Sequence, residues 1–190
     1  MSKKIVFLVG SLRKGSNARK IAENVMELFP SGYNTEIFEI RDLPLYDADY
    51  DNPDETDRPL PESYTRFRNA IKEADGVMFV TPENNRTIPA CLKNAVDIAS
   101  KPNGDVAWKG TPTGIMSHSV GKMGGYSSNK NLRLALSYFE MPIVQQPEVF
   151  LGQSNDLLDE NGKINNESTI EFLQTYVDKF IKLVEANPKN

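Results

Sequence analysis

One stretch near the N-terminus, residues 4–29, constrains the fold of this chain most strongly. It opens with an unbroken apolar run over Ile5–Val9, rich in β-branched residues and typical of a strand buried on both faces. A polar loop from Gly10 to Gly15 follows, and apolar residues then recur at helical spacing, at Ile21, Val25, Leu28 and Phe29. The stretch predicts a strand over Lys4–Val9 and a helix over Asn17–Phe29, with Ser16 as the helix N-cap.

A strand followed by a polar loop and a helix N-terminus is suited to binding an anion. The backbone N–H groups of the first helical turn have no partner within the helix, and the helix dipole adds partial positive charge there. An ordinary capped helix with solvated basic residues is the simpler alternative. The density of donors favours a phosphate, and the residues concerned are Ser11, Arg13, Lys14, Ser16 and Asn17.

Two common phosphate-binding motifs do not fit this loop. Gly10 and Gly15 have the spacing of a P-loop, but Ser16 stands where the motif requires lysine, which argues against nucleoside triphosphate hydrolysis. The dinucleotide fingerprint fails as well, because its second glycine is absent after Gly10. A hydroxyl-rich loop of this kind favours the phosphate of a mononucleotide.

Composition argues against several other classes of protein. The 190 residues carry a net charge of −4, which gives no electrostatic case for nucleic acid. No apolar run approaches the roughly 18 residues of a membrane span, and the N-terminus lacks the pattern of a signal peptide. The single Cys91 forms no internal disulfide. We therefore expect one cytoplasmic domain over residues 1–190, with no nucleic-acid or membrane partner and no metal site.

Strand-like and helical patterns alternate along the whole chain. Such alternation predicts a parallel sheet covered by helices on both faces, with ligands at the carboxyl ends of the strands. The further predicted strands are Thr35–Ile40, Gly76–Thr81, Pro112–Ser117 and Ile143–Phe150. The further predicted helices are Ser63–Ala74, Pro89–Ser100, Ser127–Phe139 and Glu167–Ala186.

The connection from Arg41 to Glu62 is too long for a neutral connector. It is rich in Asp and Glu and contains four prolines, Pro44, Pro53, Pro59 and Pro61. A cover beside the ligand, a subunit contact and a solvated excursion all remain open. Within it, we expect Pro44–Tyr46 to be packed.

Two more loops follow apolar strands and lie at the same predicted edge of the sheet. Thr81–Asn85 offers a rigid proline, backbone amides and amide side chains, which suit a flat heteroaromatic ring. Ser117–Gly125 contains glycines that permit close approach of the backbone to a ligand. One loop for a phosphate and two for a planar ring together describe a site for flavin mononucleotide (FMN).

In two motifs the chain resembles the NADPH-dependent FMN reductase family, which includes quinone, azo-dye and chromate reductases. The family's opening motif, approximately GSLRxxSxNxxLA, corresponds to GSLRKGSN at Gly10–Asn17. Its second motif, approximately TPEYNxSxPGxLKNAIDxxS, corresponds to Thr81–Ser100. The resemblance implies a flavodoxin-like three-layer α/β sandwich with strand order 2-1-3-4-5, bound FMN, and a homodimer or homotetramer.

The resemblance also assigns cofactor-binding residues by position. Those for the FMN phosphate are Ser11, Arg13, Ser16 and Asn17. Those lining the isoalloxazine are Pro82, Glu83, Asn84 and Asn85, and those bordering it from the third loop are Ser117, Ser119, Gly121 and Gly124.

This chain departs from the family pattern in three places. Asn84 replaces a tyrosine beside the flavin, and Ala90 replaces a glycine. The segment after Gly125 lacks the family's arginine and reads Ser127–Asn129. These departures affect the site for nicotinamide and acceptor more than FMN binding, and losing the tyrosine predicts a wider, more polar pocket.

The implied activity is that of an FMN-dependent NAD(P)H oxidoreductase. Hydride passes from NADPH (or NADH) to bound FMN and then, by a ping-pong mechanism, to a small acceptor such as a quinone, a flavin, an azo compound or a metal oxyanion. The cofactor carries the chemistry, so no catalytic side chain is expected. Backbone N–H groups of Glu83–Asn85 and Ser119–Gly121 are candidates for stabilising the reduced flavin.

Other functions remain open at the level of sequence. The same site serves a flavin-binding electron carrier or redox sensor without significant NADPH turnover, although basic residues at Arg13 and Lys14 favour the reductase. A hydrolase is disfavoured because no nucleophile motif is present. His118, the only histidine, is expected to be structural or solvent-facing, and Cys91 a small buried residue.

Overall fold

Five parallel strands form the central sheet of the computed structural model, which describes residues 2–52, 54 and 58–188. The strands are β1 (Lys3–Val9), β2 (Tyr33–Ile37), β3 (Gly76–Pro82), β4 (Thr113–His118) and β5 (Val149–Leu151). Their order is β2-β1-β3-β4-β5, which confirms the predicted fold class. Gly10 and the residues after β3 and β4 therefore leave the sheet at one edge.

The helices cover both faces of this sheet. They are α1 (Asn17–Met26), α2 (Glu62–Glu73), α3 (Ala90–Ala99), α4 (Tyr126–Leu136), α5 (Ser154–Leu157) and α6 (Glu167–Ala186). Short 3₁₀ helices occur at Ala48–Asp51 and Ser137–Phe139. Helix α5 was not predicted. None of the helices in the described ranges combines the length and the apolar character that a membrane crossing requires.

Helix α1 and strand β5 are shorter than predicted, for reasons visible in the chain. Helix α1 ends at Met26 instead of Phe29, since Leu28 and Phe29 donate to carbonyls three residues back and Pro30 follows. The fifth strand begins at Val149 instead of Ile143. Ile143 forms only an isolated bridge to Thr113, and the intervening Pro147 has no N–H to donate.

The second strand lies two or three residues earlier than predicted. Its pairing with β1 ends where Phe7 faces Ile37, so Phe38 to Ile40 already belong to the following loop. Phe38 N still donates to Phe7 O at 3.0 Å, and the side chains of Phe38 and Ile40 pack against the core, which explains their apolar character.

The sheet divides the core into two layers. Beneath α2, α3 and α4, the side chains of Tyr64, Phe67, Phe79 and Trp108 are fully buried, and Trp108 Nε1 donates to Val96 O at 2.8 Å. The layer beneath α1 and α6 contains Phe7, Tyr176 and Phe180. Both layers bury essentially the whole apolar surface of β1, β3 and β4, which holds the loops that follow these strands in fixed positions.

The long connection after Arg41 is attached to α2 and α3. Asn94 accepts from Tyr46 N at 2.8 Å and donates to Pro44 O at 2.9 Å. Tyr46 is packed as predicted, but Pro44 and Leu45 are exposed, Leu45 to 81%, so the prediction is wrong for these two residues. Asp51 forms a buried, bidentate ion pair with Arg68 at 2.7 and 2.8 Å. Pro53 and residues 55–57 of this connection lie outside the described residues.

Candidate functional site

Three loops leave the sheet side by side, as the strand register requires. Thr81 lies opposite Ser117 and Pro82 opposite His118, and Gly10 N donates to Val80 O at 2.9 Å. We call Gly10–Ser16 the first loop, Glu83–Pro89 the second loop and Ser119–Gly125 the third loop. A β-carbon on Gly10 would lie 2.9 Å from Thr81 Oγ1, so only glycine lets the first loop approach the end of β3 this closely.

The first loop presents the donors that a phosphate requires. Ser11 Oγ accepts from Arg13 N at 3.3 Å, and Ser16 is the N-cap of α1, where it accepts from Arg19 N at 3.1 Å. Both hydroxyl hydrogens remain available for an anion. No carboxylate in the described ranges lies within 4.0 Å of Arg13.

The side chain of Asn17, directly after the first loop, contacts α5. Its Nδ2 donates to Asn155 Oδ1 at 2.9 Å and lies 3.4 Å from Ser154 O, both on α5. The amide therefore ties the start of α1 to α5. Asn17 thereby supports the end of the first loop, and this support depends on α5, a short helix that the sequence did not predict.

In the second loop, the side chain of Glu83 is bound to α4. Its Oε2 accepts from Ser127 N at 2.9 Å and from Ser128 N at 3.3 Å, at the positive end of the helix dipole. Gly125, the residue at the N-cap of α4, offers no side chain, so Glu83 serves as its cap. Ser128 Oγ also donates to Pro82 O at 2.9 Å. Because the carboxylate is engaged by α4, the backbone of Glu83 is the part that remains available for the predicted contact with a ring.

The rest of the second loop is a tight hairpin. Asn84 and Thr87 exchange two backbone hydrogen bonds of 3.0 Å, with Asn85 and Arg86 both at positive φ, the geometry of a type I′ turn. A cavity of about 520 Å³ lies between this hairpin, α3 and α4. Both Asn84 and Ala90, two of the departures from the family pattern, line it.

Two residues predicted to border the ring, Ser117 at the end of β4 and Gly124 in the third loop, hold that loop in place. Ser117 is 1% exposed, and its hydroxyl donates to Gly124 O at 2.8 Å. Gly124 has φ +60, and a β-carbon there would lie 2.5 Å from the carbonyl carbon of Phe150. The side chain of Ser117 and the α-carbon of Gly124 therefore fix the loop against β5.

Ser119 and Gly121 lie on the open part of the third loop. Ser119 Oγ donates to Gly121 O at 3.0 Å, and Ser119 N donates to Leu151 O at 3.1 Å. A β-carbon on Gly121 would meet nothing nearer than Ser119 Oγ at 4.0 Å. Space is therefore available beside this part of the loop, as its predicted role requires.

His118 is the residue whose environment was least predictable. It is 7% exposed, and its Nδ1 lies 3.1 Å from Ser154 Oγ, while its buried Nε2 has no hydrogen-bond partner among the described residues. Burial, together with the smaller effect of the charge of Arg13, lowers its pKa to about 4. The imidazole is therefore neutral at pH 7. The sequence offered one indication of this environment: side chains alternate between the two faces of a strand, which places His118 on the face opposite Ser117.

The chemistry of these residues fits FMN. Residues 10–22 contain no Asp or Glu, so the hydroxyls of Ser11 and Ser16, the guanidinium of Arg13 and the start of α1 act together on an anion. The orphaned Nε2 of His118 lies in the electrostatic field of Arg13, on the same side of the site.

Cys91 gives no sign of being a nucleophile. It is a free, half-buried thiol near the start of α3, and burial raises its pKa. Within the described ranges, no group of three or more His, Cys, Asp or Glu residues is arranged to hold a metal ion.

Comparison with known proteins agrees with this site. The family model described as NADPH-dependent FMN reductase matches residues 3–156. A quinone reductase of Pseudomonas putida is 46% identical over 183 residues, which cover 96% of this chain and 95% of that protein. A 2-hydroxy-1,4-benzoquinone reductase of Burkholderia is 38% identical over 180 residues, covering 95% of each.

A solved structure shares the whole fold. The flavoenzyme NAD(P)H:(acceptor) oxidoreductase FerB of Paracoccus denitrificans has a TM-score of 0.87 and 31% identity, and the match covers 97% of this chain and 98% of that one. With the family motifs, the sheet order and the three loops all in place, this chain belongs to the NADPH-dependent FMN reductase family and is an FMN-dependent NAD(P)H oxidoreductase.

Proposed function

We propose that the acceptor is a quinone and that the enzyme works in two separate half-reactions. When bound, FMN accepts hydride from NAD(P)H and passes the electrons to the acceptor. The observation that carries the proposal is the convergence of the three loops, one with phosphate donors and one with open backbone, at a single edge of the sheet. The quinone class is supported by the names of the Pseudomonas and Burkholderia relatives.

The side chains divide into two proposed roles. Ser11, Arg13 and Ser16 hold the phosphate, and the backbones of Pro82–Asn85 and Ser119–Gly121 face the ring. Three other side chains keep the loops in position through hydrogen bonds: Asn17 to α5, Glu83 to α4 and Ser117 to the third loop. No side chain is assigned as an acid or base, because protons for the quinone are available from solvent.

We infer that the enzyme is a cytoplasmic homodimer or homotetramer. Three large apolar side chains, Leu45, Leu134 and Tyr138, are each more than 70% exposed and support association between copies of the chain. Sedimentation equilibrium measures the mass directly. A monomeric mass at micromolar concentration would contradict this inference.

The separate half-reactions are tested with enzyme reduced anaerobically by NADPH and then freed of nucleotide on a desalting column. Mixing with 1,4-benzoquinone is expected to reoxidise the flavin and yield one equivalent of hydroquinone, because the acceptor takes the place vacated by NADP⁺. Reoxidation only when nucleotide is added back would contradict the ping-pong order. Reduction by NADPH without any transfer to benzoquinone would contradict the quinone assignment and leave the FMN reductase activity standing.

A further inference from the structure

A cavity of about 490 Å³ lies beside the first loop, on the side of β2. Its wall includes Ser11 and Arg13 from the first loop and Phe38 and Arg41 from the segment after β2. No residue of the second or third loop lines it. The cavity therefore shares Ser11 and Arg13 with the candidate phosphate site for FMN and extends from that loop toward the end of β2.

The charge of this cavity is strongly positive. Four cationic side chains line it, from Arg13, Lys14, Arg19 and Arg41, against the single carboxylate of Glu39. Arg19 is paired with Glu39. Arg41 donates to Leu12 O, and within the described ranges no carboxylate lies within 4.0 Å of Arg41 or Lys14. In a chain of net charge −4, this local excess of cations is suited to an anionic ligand.

The remainder of the wall is apolar. Ile37, Phe38 and Ile40 line it at the carboxyl end of β2, and the ring of Phe38 packs on Phe67 with 5.0 Å between the ring centroids. A fixed apolar wall receives a flat ring, while the cations receive phosphate groups. The combination fits a phosphorylated nucleoside better than a simple inorganic anion.

We propose that this cavity binds the adenosine end of NADPH and that Arg41 and Lys14 recognise its 2′-phosphate. The proposal rests on the proposed function, since it supplies the cosubstrate of that reaction. The 2′-phosphate is the group that distinguishes NADPH from NADH, and a guanidinium binds phosphate through two parallel N–H donors. Arg41 is partly immobilised by Leu12 O, which leaves further guanidinium N–H groups for the ligand.

The test measures binding without turnover, by calorimetric titration of the FMN-loaded protein with adenosine 2′,5′-bisphosphate and with 5′-ADP. The wild type is expected to bind the 2′,5′-bisphosphate at least about tenfold more tightly. Arg41→Gln is expected to weaken that binding by about 10- to 100-fold, the range for loss of a hydrogen bond to a charged group, and to leave 5′-ADP binding within about twofold. The value of kcat/KM is expected to fall for NADPH and not for NADH.

Arg58→Gln is the matched control. Arg58 lies in the connection before α2, pairs with Asp47 at 2.7 Å and does not line the cavity, so its replacement is expected to change neither titration. Lys14→Gln, on the exposed first loop, repeats the test should Arg41→Gln alter the fold.

Three results would overturn the proposal: equal binding of the two nucleotides by the wild type, equal losses in Arg41→Gln and Arg58→Gln, or a loss of FMN affinity in Arg41→Gln. The last would assign the cavity to FMN itself. Failure of the proposed function appears separately, as failure of 1,4-benzoquinone to reoxidise the NADPH-reduced wild-type enzyme, and leaves the nucleotide titrations unchanged.

Discussion

Replacing Gly124 by alanine is expected to lower the free energy of unfolding by about 2–4 kcal/mol, among the larger effects of a single substitution. Alanine is strained at the φ of +60 that this residue adopts, and its β-carbon would lie 2.5 Å from one backbone atom of Phe150 and 2.8 Å from Leu151 N. Neither strand β5 nor the loop can move without breaking the bond from Ser117 to Gly124 O. Urea denaturation of the FMN-free protein measures the change.

Gly121→Ala in the same loop is the control for this prediction. The nearest atom to its added β-carbon is 4.0 Å away, so we expect a change in unfolding free energy within about 0.5 kcal/mol. Equal destabilisation by the two variants would show that the loop is not held by close packing at Gly124.

Acid is expected to destabilise the FMN-free protein through His118. Its folded pKa of about 4 lies below the ordinary value of 6.5, so the unfolded chain binds the proton more tightly. The stability associated with the neutral imidazole is complete above pH 6.5 and is lost as the pH falls through about 4. Between pH 7 and pH 4, the wild type should lose about 2–3 kcal/mol more of its unfolding free energy than His118→Asn, which has no titrating ring.

NMR gives a direct check, because His118 is the only histidine and its ring signals need no assignment. We expect them to remain those of a neutral imidazole down to pH 5. A midpoint near 6.5, or identical pH profiles of stability in the wild type and His118→Asn, would contradict the buried environment described above.

The elements that were predicted well are those whose signals are local. The apolar runs of β1, β3 and β4 and the helical spacing after Ser16 follow from contacts within a few residues. Alternation of strands and helices was enough for a parallel sheet, and family resemblance added its order. Pro147 and Pro30 also indicate where β5 begins and where α1 ends. The prediction followed the neighbouring apolar residues instead and made both elements too long.

The parts that were missed depend on contacts between distant residues. The carboxylate of Glu83 caps a helix 44 positions later, and Asn17 binds Asn155 across 138 positions. No pattern within one loop reveals such partners, so residues that hold the loops together looked like residues that face the ligand. The cationic cavity was missed for the same reason, because Arg41 meets the first loop only in the folded chain.

The most direct test of the central claim is an anaerobic titration of the purified apoprotein with FMN, followed by NADPH. We predict uptake of one FMN per chain, with quenched flavin fluorescence, and bleaching of the flavin absorbance when NADPH is added. Uptake of FMN without bleaching would contradict the reductase activity and favour an electron carrier or sensor. A protein that takes up no FMN would contradict the account of all three loops.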